Sequence, residues 1–103
     1  MSDASILFEL CRRLEERRQA DPATSYTARL YAQGLDRILE KVGEEAIETV
    51  LAAKNGQTEA IIHETADLWF HTLVMLTHLG IGAEAILEEL ARRFAASPAP
   101  PNP

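Results

Sequence analysis

The sequence is poor in several kinds of residue, and each shortage excludes a class of protein. Its 103 residues include a single cysteine, Cys11, so an internal disulfide and a cysteine-ligated zinc site are both excluded. No apolar run is long enough to span a bilayer, and the N-terminal stretch lacks the basic and apolar segments of a signal peptide. These features predict a cytoplasmic protein with no membrane partner.

Positive charge is scarce as well. The 10 lysines and arginines stand against 16 aspartates and glutamates, which gives a formal net charge of −6. This balance argues against a nucleic-acid partner, since such proteins present a broad basic surface. It does not exclude a small anionic ligand, because a bound divalent cation can reverse the sign of the local charge.

Signals for β-strands are missing, since β-branched residues neither cluster nor alternate along the chain. Helix formers dominate between three breaks, at 20–25, 54–57 and 80–82. The apolar spacing predicts an all-α, antiparallel bundle of four to five helices that forms one domain, residues 1–95. The proline-rich residues 96–103 are expected to be disordered. The helices are expected at about 4–19, 25–33, 35–54, 57–79 and 83–95.

The fourth of these segments is apolar almost all round, with large aliphatic and aromatic residues spread over 61–79. A helix of this kind must be covered on every side. A chain of this length has too few other helices to cover it alone. We therefore expect a homodimer in which this helix is central.

Acidic residues recur at helical spacing on both sides of the 54–57 turn. Glu45 and Glu48 lie three apart before the turn, and Glu64 and Asp67 lie three apart after it, so each pair shares a helix face. The reversal of the chain brings both pairs to a similar height. Four converging carboxylates repel one another unless a cation lies between them. Hard oxygen ligands of this kind select Mg²⁺, Mn²⁺ or Ca²⁺. Asp67 also lies on the apolar segment, where a charge must be paired or coordinated.

Other interpretations of these residues stay open. Each glutamate taken alone is an ordinary solvated residue, and a di-iron carboxylate site would need Glu-x-x-His pairs that the sequence lacks. His71, four residues after Asp67, is interpreted as a hydrogen-bonded core histidine. Four basic residues could complement a metal in holding a polyphosphate; they are Lys41, Lys54, Arg18 and Arg29.

Two longer segments resemble a known family. They are SYTARLYAQGLDRILEKVGEEAIETVLAAKN at 25–55 and HETADLWFHTLVML at 63–76. Together they are similar to phosphoribosyl-ATP pyrophosphohydrolase of histidine biosynthesis, which is one of the all-α MazG-like nucleotide pyrophosphohydrolases. The ExxE and ExxD signature of that superfamily falls on 45–48 and 64–67. Phe70 stands where a tyrosine is common, a departure that leaves the metal positions unchanged.

The resemblance implies a reaction, a cofactor and the residues that serve them. Water would cleave the α–β phosphoanhydride of phosphoribosyl-ATP, a small-molecule nucleotide, to give phosphoribosyl-AMP and pyrophosphate. Glu44 would position or deprotonate that water, or would have a supporting or purely structural role beside the ligands. The ligands of Mg²⁺, with Mn²⁺ as a substitute, would be Glu45, Glu48, Glu64 and Asp67. Two alternatives are a MazG-like house-cleaning pyrophosphohydrolase of free (d)NTPs and a non-catalytic helical dimerisation module.

Overall fold

The protein is built from helices throughout the range that its computed structural model describes, residues 3–95. The five α-helices are α1 (Ser5–Glu16), α2 (Tyr26–Gln33), α3 (Leu35–Asn55), α4 (Thr58–His78) and α5 (Ala83–Ala95). A short 3-10 helix, Arg17–Gln19, continues α1. The all-α prediction is confirmed. The proline-rich segment 96–103, expected to be disordered, lies outside the described residues.

The helix boundaries follow from local chemistry at the breaks. Ser25 has an extended backbone, and its hydroxyl oxygen accepts a hydrogen bond of 3.2 Å from the N–H of Ala28, which caps the start of α2. α3 ends at Gly56, whose φ of 73° lies in the left-handed region that glycine adopts at little cost. Its N–H bonds back to the carbonyls of Ala52 and Ala53. The chain then turns directly into α4, and α3 and α4 form an antiparallel hairpin.

The hydrophobic core lies toward the end of α4 that is remote from this turn. Ile38 of α3 and Val74 of α4 have no exposed surface, and the other core members come from α1, α2, α4 and α5. Burial of each large side chain of this kind stabilises the fold by about 1.5–3 kcal/mol. The acidic residues lie outside this core cluster, from the middle of the hairpin toward Gly56. The remaining core residues are Leu14, Leu30, Leu73, Leu76 and Ala83.

A single chain leaves part of the hairpin's apolar surface exposed. On α4, Trp69 is 59% exposed and Ile62 is exposed as well. On α3, the exposed apolar residues Ile47, Val50 and Leu51 share one helix face. We call these five side chains the outer hairpin residues. The expectation that one chain is too short to surround α4 agrees with their exposure.

No single helix within residues 3–95 is both long and apolar enough to cross a bilayer. Taken together, α4 and α5 meet that criterion by length and composition, but their axes are bent by 110° at the break between them.

Candidate active site

The first part of the site is a pair of carboxylates one turn apart on α3. Glu45 is only 6% exposed, whereas Glu48 is exposed. Oxygen Oε1 of Glu45 lies 3.5 Å from Nζ of Lys41. Oxygen Oε2 of Glu45 is buried and has no hydrogen-bond partner among the described residues. A buried carboxylate oxygen without a partner is costly, because it has lost its hydration.

The second part of the site lies on α4. Glu64 also has a buried Oε2 without a hydrogen-bond partner among residues 3–95. Three carboxylate oxygens lie within 4.8 Å of one another, one each from Glu45, Glu48 and Glu64. Glu64 belongs to a second group of the same spacing with His63 and Asp67, in which His63 Nε2 is 3.4 Å from Asp67 Oδ2. The structure thus brings the four acidic residues into two overlapping groups that share Glu64.

The burial of Asp67 differs from the expectation. Its position on an apolar helix suggested a buried charge, but its side chain is 41% exposed in the single chain. Glu45 is the buried member of the cluster instead. Asp67 shares the helix face of buried His71 and Val74, but it lies one to two turns closer to the hairpin turn, before the stretch of α4 that the core covers.

A threonine joins the two helices at the height of the carboxylates. The hydroxyl of Thr49 lies within hydrogen-bond distance of two backbone carbonyl oxygens, that of Glu45 on its own helix at 2.8 Å and that of Glu64 across the hairpin at 3.1 Å. A short side chain in this position allows the two backbones to approach, so the opposing carboxylates can converge. No signal in the sequence marks this role, because threonine is common on any partly exposed helix face.

The residues present fit a hard divalent cation. All four predicted ligands offer carboxylate oxygens, which Mg²⁺ and Mn²⁺ prefer. Oxygens within 4.8 Å of one another repel strongly when each carboxylate is charged. The buried, unpartnered oxygens of Glu45 and Glu64 add a desolvation cost. A cation between them would relieve both costs.

Lys41 and Glu44 lie beside this cluster on α3. Lys41 Nζ is 3.2 Å from a carboxylate oxygen of Glu44. The pKa of Lys41 is raised, first by its hydrogen bond with Glu44, so the ammonium keeps its charge at neutral pH. Glu44 is partly exposed and also lies 4.0 Å from Arg37, on the solvent side of the cluster. The predicted role of Glu44 in positioning water stays a prediction.

Arg29 and Lys54 are two of the other cations predicted to bind phosphate. The guanidinium carbon of Arg29 lies 5.9 Å from the ring centroid of Tyr26. Lys54 is exposed on the last turn of α3, about 9 Å along the helix axis from Glu48. The Nη1 of Arg29 also donates to the carbonyl oxygen of Pro22 at 3.2 Å.

Arg18 lies farther from the carboxylates within the chain. Its Nη1 is 3.4 Å from the carbonyl oxygen of Thr77, near the C-terminal end of α4. That point is about 15 Å along the helix axis from Asp67. Arg18 also lines a separate pocket of about 500 Å³ together with Cys11. The structure therefore pairs Arg18 with Glu15, at 3.4 Å, and does not bring it to the acidic cluster on α3 and α4 of its own chain.

His71 is the buried histidine that the sequence predicted. It is 6% exposed, and its Nδ1 lies 2.8 Å from the backbone carbonyl oxygen of Asp67. Its Nε2 lies 2.8 Å from the hydroxyl of Tyr26 on α2. The interpretation as a hydrogen-bonded core histidine is confirmed. The part played by Tyr26 was not foreseen, because it depends on how α2 packs against α4.

Comparison with known protein families assigns the chain to one family. A family model described as phosphoribosyl-ATP pyrophosphohydrolase matches residues 7–94, which is most of the sequence. The chain belongs to this family. Phosphoribosyl-ATP pyrophosphohydrolases are hydrolases of histidine biosynthesis that convert phosphoribosyl-ATP into phosphoribosyl-AMP and pyrophosphate, and that activity is assigned to this protein.

The family assignment confirms several sequence predictions together. Membership of the phosphoribosyl-ATP pyrophosphohydrolase family agrees with four predictions: the resemblance, the enzyme class, the all-α fold and the small-molecule nucleotide substrate. Enzymes of this family depend on a metal ion in general, and the acidic groups provide donors for one. The identity of the metal and the role of each residue stay predictions.

Proposed function

We propose that the protein hydrolyses phosphoribosyl-ATP with Mg²⁺, for which Mn²⁺ can substitute. The observation that carries this proposal is the pair of buried carboxylate oxygens, on Glu45 and Glu64, that have no partner among the described residues. When bound, the cation supplies Lewis acidity toward the phosphoanhydride and toward the attacking water. The proposed ligands are Glu45, Glu48, Glu64 and Asp67.

The carboxylate of Glu44 is proposed to orient the attacking water and to accept its proton. The bond formed joins the water oxygen to phosphorus, the α–β bridging bond breaks, and pyrophosphate leaves. Glu44 suits this role because its side chain is reached by solvent and is held by Lys41 at 3.2 Å. Positioning and electrostatics supply most of the rate enhancement in phosphoryl transfer.

The leaving pyrophosphate carries several negative charges, and basic side chains at the edge of the cluster are proposed to neutralise them. Lys41 is adjacent to Glu45, Arg29 lies over the ring of Tyr26 on α2, and Lys54 lies in the last turn of α3. Arg18, also predicted to bind phosphate, is the least supported of the four, since it lies near Thr77 rather than near the carboxylates.

Pyrophosphate release tests the substrate and the metal together. With phosphoribosyl-ATP and Mg²⁺ we expect turnover that EDTA abolishes and Mn²⁺ restores. Glu48→Gln should lower kcat/KM by about 100-fold, since a ligand charge is lost. Faster turnover of a panel of dNTPs than of phosphoribosyl-ATP would favour a house-cleaning enzyme instead. Full activity of Glu48→Gln would remove Glu48 from the ligands.

We also propose that the protein is a cytoplasmic homodimer with α4 at its centre and that residues 1–95 form one domain. The support for a dimer is the exposure of five large apolar side chains, the outer hairpin residues, since grouped exposed apolar residues mark protein interfaces. The single thiol, Cys11, agrees with a reducing compartment.

Sedimentation velocity tests the dimer. Trp69→Glu places a charge among the outer hairpin residues and should yield monomers, because a charge buried in an apolar interface costs several kcal/mol. Ile6→Glu, an exposed apolar position on α1, is the matched control and should remain dimeric. A wild-type protein that sediments as a monomer at all concentrations would contradict the proposal.

A further inference from the structure

Thr49 lies between the two helices that carry the proposed metal ligands. Its hydroxyl oxygen is 2.8 Å from the carbonyl oxygen of Glu45 on α3 and 3.1 Å from that of Glu64 on α4. These are the two residues whose carboxylates each bury an oxygen that has no hydrogen-bond partner in the described part of the chain. A single hydroxyl thus contacts the backbone of both buried carboxylate residues.

One of these two contacts is ordinary, and the other is not. A threonine in a helix commonly donates to the carbonyl four residues earlier, as Thr72 does to Leu68 at 2.8 Å. The contact between Thr49 and Glu64 instead joins residues that are 15 apart in the chain and lie on different helices. Within residues 3–95 the structure describes no other hydrogen bond or ion pair between α3 and α4. The hydroxyl is therefore the polar link between the two groups of ligands.

The two carbonyl groups do not need this hydroxyl to be hydrogen-bonded. Each lies inside a helix, where a carbonyl accepts from the backbone N–H four residues later. A hydroxyl also has one hydrogen, so it donates to one of the two carbonyls at a time. What Thr49 adds is a connection between the helices, and this connection fixes how closely α4 approaches α3 at the height of the carboxylates.

The distance between the helices matters because it sets the distance between the ligands. The carbonyl and the carboxylate of Glu64 belong to one residue, so a shift of α4 away from Thr49 moves both. Mg²⁺ accepts oxygens in a near-ideal octahedron at about 2.1 Å, so its binding is sensitive to small changes in ligand position. The carboxylate oxygens of Glu45, Glu48 and Glu64 lie within 4.8 Å of one another, and their repulsion acts to separate the helices. The Thr49 hydroxyl opposes that separation.

We infer that Thr49 is a positioning residue of the metal site, whose hydroxyl holds α4 against α3 so that Glu64 stays within reach of a cation bound at Glu45 and Glu48. The inference rests on the proposed function, because it takes these three glutamates as metal ligands. Thr49 touches neither the metal nor the substrate in this scheme, and it acts through the backbone of its neighbours.

Binding of Mn²⁺ to the full chain tests the inference without an activity assay. Thr49→Val keeps the branched shape and removes the hydroxyl. The Kd for Mn²⁺, measured by electron paramagnetic resonance well below Tm, should rise about tenfold, as when a group that orients metal ligands is lost. Thr49→Ser keeps the hydroxyl, and its Kd should stay within about threefold of the wild-type value. Equal Kd values for Thr49→Val and the wild type, or for the two variants, would overturn the inference.

The matched control is Thr72→Val. Thr72 is also partly buried, and its hydroxyl bonds only within α4, so the Kd for Mn²⁺ should not change. A rise as large as that in Thr49→Val would show that the loss of any such hydroxyl weakens the site, and would overturn the inference. Thr49→Ala removes the same hydroxyl and introduces a better helix former, so it takes the place of Thr49→Val if that variant does not fold.

The metal dependence of turnover provides a second readout. With Mn²⁺ held near the wild-type Kd, Thr49→Val should lower kcat/KM for phosphoribosyl-ATP about fivefold, because fewer sites are occupied. At saturating Mn²⁺ the loss should be less than about twofold, since the bound cation itself draws the carboxylates together. A loss of the same size at saturating Mn²⁺ would overturn the inference. Failure of the proposed function has a different signature, namely a wild-type protein that neither hydrolyses phosphoribosyl-ATP nor binds Mn²⁺.

Discussion

Glutamates on α1 and α5 and glutamates on the α3–α4 hairpin are in opposite electrostatic situations. Glu9 on α1 and Glu89 on α5 are each followed by arginines three and four residues later, and all of these arginines pair with them. Glu45 and Glu64 on the hairpin each bury one oxygen that has no partner among the described residues. The arginines concerned are Arg12 and Arg13 for Glu9, and Arg92 and Arg93 for Glu89.

The difference separates a solvated charged surface from a site that needs an ion. The exposed glutamates meet their cations within one helix turn, and hydrogen bonds from Arg12 and Arg13 lower the pKa of Glu9 to about 2. The buried carboxylates converge from two helices, and Lys41 is the one cation within 4.0 Å of them in the part of the chain that the structure describes. A cation from outside the chain would balance their remaining charge, which is the condition that a metal site satisfies.

The largest expected effect is the difference in activity between two variants, one that neutralises a buried hairpin glutamate and one that neutralises an exposed, arginine-paired glutamate. Glu45→Gln should lower kcat/KM for phosphoribosyl-ATP by about 100-fold or more, because a proposed metal ligand is lost while its shape is kept. Glu89→Gln, the matched change on α5, should lower it by less than about twofold. Steady-state assays of pyrophosphate release measure both. Equal effects of the two variants would remove the functional distinction between the regions.

An intermediate effect is expected when the metal binds, because binding should raise the free energy of unfolding. Mg²⁺ at about 100 times its Kd should stabilise the folded state by about 2.7 kcal/mol. For a domain of this size, that corresponds to a rise in Tm of about 10 °C or more. Thermal melts at one protein concentration measure the shift, with NaCl at the same ionic strength as the control. An unchanged Tm, or an equal shift in Glu45→Gln, would support a non-catalytic helical module instead.

The smallest expected effect concerns the exposed ion pairs. Because the pKa of Glu9 is lower in the folded state than in the unfolded chain, its stabilisation is fully present above about pH 4.5 and is lost as the pH falls toward 2. Glu9→Gln should therefore lower Tm by about 2 °C at pH 7, and by less as the pH falls through that window. Salt at about 1 M should remove most of the difference.

Circular-dichroism melts between pH 7 and 3 measure this effect, with Glu88→Gln on α5 as the control. The structure describes no ion pair for Glu88 among residues 3–95. A Tm difference for Glu9→Gln that is constant across the pH range would show that its ion pairs do not stabilise α1.

Local features of the site were predictable because a helix has a fixed period. Glu45 with Glu48, and Glu64 with Asp67, share a face at three-residue spacing, and Gly56 reverses the chain between them. These facts sufficed to predict that the carboxylates meet. They did not suffice to show that Glu45 is buried and Asp67 is partly exposed, because burial depends on how α4 is rotated against its neighbours.

The amino-acid sequence by itself determined five helices, the antiparallel hairpin and the convergence of acidic side chains, since each depends on interactions between residues close in the chain. Tertiary packing alone decided three further features: Thr49 bonds across the hairpin, Tyr26 of α2 meets His71 of α4, and Arg18 lies away from the carboxylates. Each of these depends on the relative placement of helices. That placement is set by the fit of whole apolar surfaces, which no local spacing encodes.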